Sequence, residues 1–294
     1  MKKTIALFTF VILALAGYAQ KLEVDKKSLV QDGITKLEIL KDKEPIPYPP
    51  LREADIFWSR RVWRVLDLRE RLNYPLYYPT QVVQTRKSFV QALVSAIQSG
   101  AIKAYDTDTD EFTTELLPED LRGRFEITDR TETRAKLDGS GDTTMVIRGE
   151  FNWGEVRELL VKEDWFFDKH HSQMYVRIIG ICPIRVYAKE IRTADEDEDM
   201  APEMVKKQLF WIYYPDVRKV LANTPCYVGE NEVTQVSFDD LFQKRRFSSY
   251  ITAISNNQNN RQIFSYTRNG IEAMLESERQ KQEIFNFESD LWEY

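Results

Sequence analysis

Asp67-Leu-Arg-Glu-Arg-Leu-Asn-Tyr-Pro-Leu-Tyr77 recurs, with one added residue, as Asp216-Val-Arg-Lys-Val-Leu-Ala-Asn-Thr-Pro-Cys-Tyr227. Each stretch runs through Asp, Arg, Leu, Asn, Pro and Tyr in the same order, and a Ser-Phe pair follows each, Ser88-Phe89 and Ser237-Phe238. A helix ended by Asn and Pro, then an aromatic strand, then a second helix opened by a Ser cap makes a complete packing unit. The repeat predicts an α+β protein of two related mixed helix and strand units, 51–150 and 151–268, preceded by an extended arm and followed by a helical tail over 269–294. Chance likeness is the alternative, because aligning the copies needs an insertion. The repeated positions, Asp67, Arg69, Asn73, Pro75 and Asp216, Arg218, Asn223, Pro225, include no repeated nucleophile, base or metal-ligand set. They point to a scaffold rather than an enzyme.

Working outward, Asp55–Leu72 shows apolar residues at helical spacing. Trp58, Val62, Val65, Leu66 and Leu72 share one face of such a helix, with Arg60, Arg64, Asp67 and Arg71 opposite. Arg69 projects from the apolar stripe and Arg218 takes the same place in the second copy. A charge there needs a carboxylate or carbonyl partner, since an uncompensated buried charge costs several kcal/mol; a pair of ligand-binding arginines is the other reading. Ser88 to Gly100 reads as a capped helix stopped by glycine. Trp165-Phe-Phe167 and Met174 to Tyr187 read as strands, with Gly180 and Pro183 marking a bulge or strand end.

The first nineteen residues have the pattern of an export leader: Lys2 and Lys3, an apolar run from Ile5 to Ala16, and small residues before Gln20. No Cys stands at the cleavage site, so the chain would carry no lipid anchor of its own. Removing the leader takes away two lysines and no acids, which moves the net charge from −6 to −8. An acidic exported chain is a poor partner for nucleic acid, and no later stretch is long and apolar enough for direct membrane insertion. The arm, 20–50, ends in Pro45-Ile-Pro-Tyr-Pro-Pro50, a run that favours extended polyproline geometry. Pro45, Pro47, Tyr48, Pro49 and Pro50 are the candidate segment for docking onto a neighbour, with a disordered leader as the alternative.

Cys182 and Cys226 are the two cysteines. In an oxidising compartment a disulfide between them could contribute roughly 4 kcal/mol, and two buried free thiols satisfy the sequence equally well. Asp106-Thr-Asp-Thr-Asp-Glu111 imitates a calcium loop but has neither the glycine nor the glutamate at the required places, so it reads as solvated. Asp195–Asp199 reads as a solvated charge block. His170 and His171 are adjacent, and on a strand they would point to opposite faces and could not chelate one ion. Gly139-Ser-Gly141 lacks the Lys of a phosphate loop, and no G-x-S-x-G occurs. The chain therefore carries no expected catalytic, cofactor or metal residues. Carboxylates are abundant, so a carbohydrate- or peptidoglycan-binding or cleaving protein is the alternative function.

Asp55 to Asn73, Pro75 to Pro79, Arg177-Ile-Ile-Gly-Ile181 and Phe210-Trp-Ile-Tyr-Tyr-Pro215, behind an exported leader, together resemble the GldN/PorN family of Bacteroidota. The resemblance covers essentially the whole mature chain. It implies a non-catalytic periplasmic component of the type IX secretion system, which exports proteins across the outer membrane and supports gliding in many species. It further implies a ring beneath the outer membrane, built from further copies of the chain and a GldK/PorK-type lipoprotein, in contact with the periplasmic region of a GldL/GldM-type motor.

Overall fold

Ile56–Asp67 is a twelve-residue strand, β1, where helical spacing was expected. The apolar set Trp58, Val62 and Leu66 fits a period of 3.6 almost as well as a period of two, so the pattern alone does not choose. The choice falls to the flanking strands. β1 is hydrogen-bonded along one side to a later strand, Val156–Asp168, and along the other to Tyr250–Ile254, both antiparallel. The β-branched and aromatic content of Ile56, Phe57, Trp58, Val62, Trp63 and Val65 suits that position.

The computed structural model describes residues 40, 42–81, 86–127, 130–135, 142–147, 149, 151–189, 203–228 and 236–291. The expected leader, most of the arm, Gly139-Ser-Gly141 and Asp195–Asp199 lie outside them. The remaining strands are β2 (Ala104–Tyr105), β3 (Glu115–Leu116), β4 (Arg130–Ala135), β5 (Asp142–Ile147), β6 (Val156–Asp168), β7 (Gln173–Lys189), β8 (Glu203–Gln208), β9 (Trp211–Tyr213), β10 (Pro225–Cys226), β11 (Val236–Ser237) and β12 (Tyr250–Ile254). The helices are α1 (Tyr74–Tyr77), α2 (Phe89–Gln98), α3 (Leu121–Arg124), α4 (Tyr214–Asn223), α5 (Phe238–Gln243) and α6 (Gly270–Asp290).

The fold is α+β, built on an eight-stranded sheet in the order β12-β1-β6-β7-β9-β2-β3, with β8 also paired to β7. The β6–β7 hairpin is its spine, as the aromatic and β-branched run predicts. β7 does not end at Gly180 or Pro183; it runs through both to Lys189, taking β9 beside Gly180 and Ile181 and β8 from Ile184 onward. A register shift opposite Lys162 and Glu163 does fall next to Gly180. Gly180 is needed for a close approach: a Cβ there would sit 2.5 Å from the ring of Phe112.

Strands from both expected units interleave in this sheet, so no sheet boundary falls at 150/151. The principal core also draws on both halves. Leu66, Leu159, Val161, Ile178 and Ile181 from the sheet pack with Leu76, Phe89, Leu93, Val217, Leu221, Phe238 and Phe242 from α1, α2, α4 and α5. A second cluster, Val62, Ile251, Ile254, Ile263 and Ile284, joins the sheet to α6.

The repeat divides in the structure. Its Ser-Phe half forms the same local device twice. Ser88 accepts from the Gln91 amide and Gln91 Oε1 accepts from Ser88, while Ser237 and Asp240 do the same at α5. The two phenylalanines that follow meet edge to face in the core, Phe89 and Phe238, with ring centroids 5.6 Å apart. Gly100, at φ +71°, ends the first of these helices. The Asp-x-Arg half lands on unlike elements: Asp67 ends a strand, whereas Asp216 lies in the first turn of α4. By that measure the Asp-x-Arg repeat is a coincidence of sequence, not a duplicated element.

Candidate interaction surfaces

Arg69 and Arg218 show the division most clearly. Arg69 lies in the turn after β1 with its side chain 57% exposed, and its guanidinium folds back on Asp67 at 2.7 Å. That hydrogen bond holds the Asp67 carboxyl below its usual range. The expected buried arginine is therefore corrected at this position: once β1 is a strand, no helical stripe exists for Arg69 to project from. Arg218 is buried as expected, its side chain only 6% exposed, with Nε 3.1 Å from Asp239 Oδ1. Burial acts against its charge, but Asp239 outweighs it and raises the Arg218 pKa. The Tyr214 hydroxyl donates to the same carboxylate at 2.8 Å.

The asparagines also diverge. Asn73 is fully buried and ties two distant loops, donating to the carbonyls of Asp67 and Ser248 and accepting from the Ser248 amide at 2.8 Å. Asn223 donates to Lys219 O one turn back. Pro75 sits in the first turn of α1, and Pro225 opens β10. The segments nevertheless touch: the Cys226 thiol donates to Pro75 O at 3.3 Å, and Tyr78 packs on Tyr227.

Cys182 and Cys226 are both free and buried. Burial pushes each thiol up to about 12, which leaves no thiolate to react near neutral pH.

Of the arm expected to dock on a neighbour, the described stretch 42–50 packs against its own chain. Lys43 pairs with Asp240. The Tyr48 ring contacts two guanidiniums, 4.3 Å from that of Arg218 and 5.0 Å from that of Arg177. Its hydroxyl accepts from Gln243 at 3.1 Å, and Arg177 donates to Pro49 O at 2.6 Å. Burial raises the Tyr48 pKa. Pro45 is half-buried, while Pro47, Pro49 and Pro50 remain exposed along the strap. Cation–π contacts of this kind are worth about 0.5–2 kcal/mol each, so Tyr48 is the anchor.

The acidic loop also serves the fold. Asp106 pairs with Arg124, and Asp110 accepts from the Trp63 indole at 2.9 Å and pairs with buried Lys162 at 3.0 Å. Burial works to raise the Asp110 pKa, and those two partners hold it below its usual value. Phe112, at φ +56°, plugs the gap beyond, against Tyr105, Trp211 and Tyr213. His170 and His171 sit in the β6–β7 turn rather than on a strand, and His171 Nδ1 lies 2.6 Å from Asp168 Oδ2, which lowers the Asp168 pKa.

One polar centre was not read from the sequence. Glu163, fully buried on β6, takes Arg245 through both oxygens at 2.9 and 3.2 Å, the Trp165 indole at 3.0 Å and Arg64 at 3.2 Å. Burial lowers the Arg64 pKa despite that neighbour. Both arginines face the Trp165 ring. A strand reading of 56–67 would have found Arg64 by placing it on one face with Val62 and Leu66. Above this centre, α6 spans a cavity of about 640 Å³ bordered by Trp165, Phe247 and Ile284.

α6 realises the expected helical tail. Asn269 caps it through the Glu272 amide, Ile284 packs into the second core cluster, and Phe287 stacks on Trp58 at 4.7 Å. Ser277 Oγ accepts the Ile251 amide at 2.8 Å, satisfying a donor on edge strand β12. The opposite side exposes large apolar side chains: Ile271 is 74% exposed, Met274 68%, Leu275 67% and Phe285 59%. No helix among the described residues is long and apolar enough to cross a membrane.

A family model described as "Gliding motility associated protein GldN" matches residues 51–293. No curated protein matches the chain.

Proposed function

The chain belongs to the GldN family of gliding motility associated proteins, and from that premise we propose that it is a non-catalytic structural subunit of the type IX secretion system. Association with gliding and type IX secretion comes with the family. The finer role, as we read it, is a periplasmic ring component held under the outer membrane by a GldK/PorK-type lipoprotein. In this reading further copies complete the ring, the periplasmic region of a GldL/GldM-type motor bears on it, and export and gliding depend on it. The observation that carries the proposal is the span of the family match, from Leu51 to Glu293, which takes in the sheet, both core clusters and α6.

The use of charged residues supports the same reading. Glu163, Asp239, Asp110 and Asn73 each hold distant segments together, as a subunit under load requires. Heterologous contacts between such subunits close into a ring when their rotation permits.

Fractionation of cells tests this. The protein should sediment with the outer membrane when the lipoprotein is present and be released to the soluble periplasmic fraction when it is deleted. A protein that stays soluble in both strains defeats the ring assignment.

A further inference from the structure

The exposed face of α6 carries a seven-residue spacing, whose Glu278 and Phe285 also border the cavity beside the helix. Ile271, Glu278 and Phe285 recur at that interval, with Met274 and Leu275 between the first two. Such spacing puts all five side chains on one stripe of the helix. The apolar members are among the most exposed large hydrophobic side chains described. Other side chains, Ser277, Ile284 and Phe287, seat the helix on the sheet. Among the described residues the stripe is therefore uncovered while α6 stays docked.

The charge in the stripe selects the partner. Glu278 stands at its centre with its side chain 66% exposed, and its one hydrogen-bonding neighbour among the described residues is Lys281, 3.4 Å away on the same helix. Over its length α6 has six acids, Glu272, Glu276, Glu278, Glu283, Glu288 and Asp290, against Arg279 and Lys281. A polar residue in an apolar seam specifies what lies opposite. If a second copy lay antiparallel on this stripe, Ile271 would meet Phe285 and Glu278 would meet Glu278. Like charges would then face each other at the centre of the contact, which disfavours the symmetric pair.

We infer that the outer face of α6 is a docking surface for an amphipathic helix of another protein, one whose apolar stripe is flanked by Lys or Arg. This rests on the reading of the chain as an assembly subunit and names the chemistry of one partner. The apolar anchors supply contact, and a basic side chain opposite Glu278 sets register.

Fluorescence anisotropy with the leaderless protein tests it, using two labelled amphipathic peptides that share a leucine stripe and differ in lysine or glutamate flanks. The lysine peptide should bind, with weaker affinity at high salt, and the glutamate peptide should bind at least about tenfold less well. Ile271→Ser with Leu275→Ser should weaken the lysine peptide at least about tenfold. Glu278→Lys should shift the preference toward the glutamate peptide. All of these side chains are exposed, so unchanged circular dichroism and thermal midpoint would confirm that the variants fold. Absence of binding, equal binding of both peptides, or indifference to the double substitution overturns the inference. A wild-type dimer in sedimentation that Ile271→Ser with Leu275→Ser abolishes would also overturn it, by making a second copy the occupant. These outcomes leave the fractionation test untouched, so the two readings can fail separately.

Discussion

Arg218 Nε lies 3.1 Å from Asp239 Oδ1, with both side chains closed to solvent. Removing the arginine leaves a buried carboxylate that, among the described residues, keeps only the Tyr214 hydroxyl. Arg218→Ala should cost about 3–5 kcal/mol, read as a lower urea midpoint. Arg69→Ala, at the matching place in the other stretch, should change stability by under about 1 kcal/mol, because its pair with Asp67 is exposed. Equal midpoints for the two variants would contradict the assignment.

Tyr48 should hold the arm through its ring more than its hydroxyl. Tyr48→Ala removes both guanidinium contacts and the Gln243 bond, so limited proteolysis between Asp42 and Leu51 should speed up while the sheet stays protected. Tyr48→Phe keeps the stacking and should lose no more than about 1 kcal/mol. Cleavage at the wild-type rate in Tyr48→Ala would show that the strap is held elsewhere.

Gly180 and Phe112 should be energetically coupled. Gly180→Ala brings a methyl group to 2.5 Å from the Phe112 ring and 3.1 Å from Ile212 O, and overpacking of that kind costs about 1–3 kcal/mol. Shortening the partner with Phe112→Ala relieves the first clash. The double variant should therefore be less destabilised than the sum of the singles, and strict additivity would place the strain elsewhere.

Stability should fall in acid. The carboxyls of Asp67, Asp110, Asp168, Asp240, Glu126 and Glu276 all lie below their ordinary values in the fold, Glu276 at about 2 beside Arg279. Depressed carboxyl groups stabilise the fold above their unfolded pKa values near 4, and that contribution disappears as pH falls through the folded values. Urea midpoints should be level above about pH 5 and drop toward pH 2. Asp110→Asn should make the drop shallower, and a midpoint independent of pH over this range would refute the account.

Both thiols should resist an alkylating reagent at pH 8 in the native protein and react fully once urea unfolds it, with no reductant added. Burial holds each at about 12. Fewer than two reactive thiols after unfolding would reveal a disulfide.

What the sequence determined by itself was local. Ser88 and Ser237 announce helix starts because the hydrogen bonds of a capping box close within three residues. Trp165 to Tyr187 announces the hairpin because strand preference and turn lie on one continuous segment. The tail helix was legible for the same reason. Tertiary structure decided the rest. Asp55–Leu72 fits a helix and a strand about equally, and pairing with β6 and β12, far along the chain, made it a strand. That one change exposed Arg69, buried Arg64 and brought Glu163 and Arg245 to it. Similar local patterns around Arg69 and Arg218 went to unlike elements, and the charge is buried where a partner stands beside it, Asp239 against Arg218.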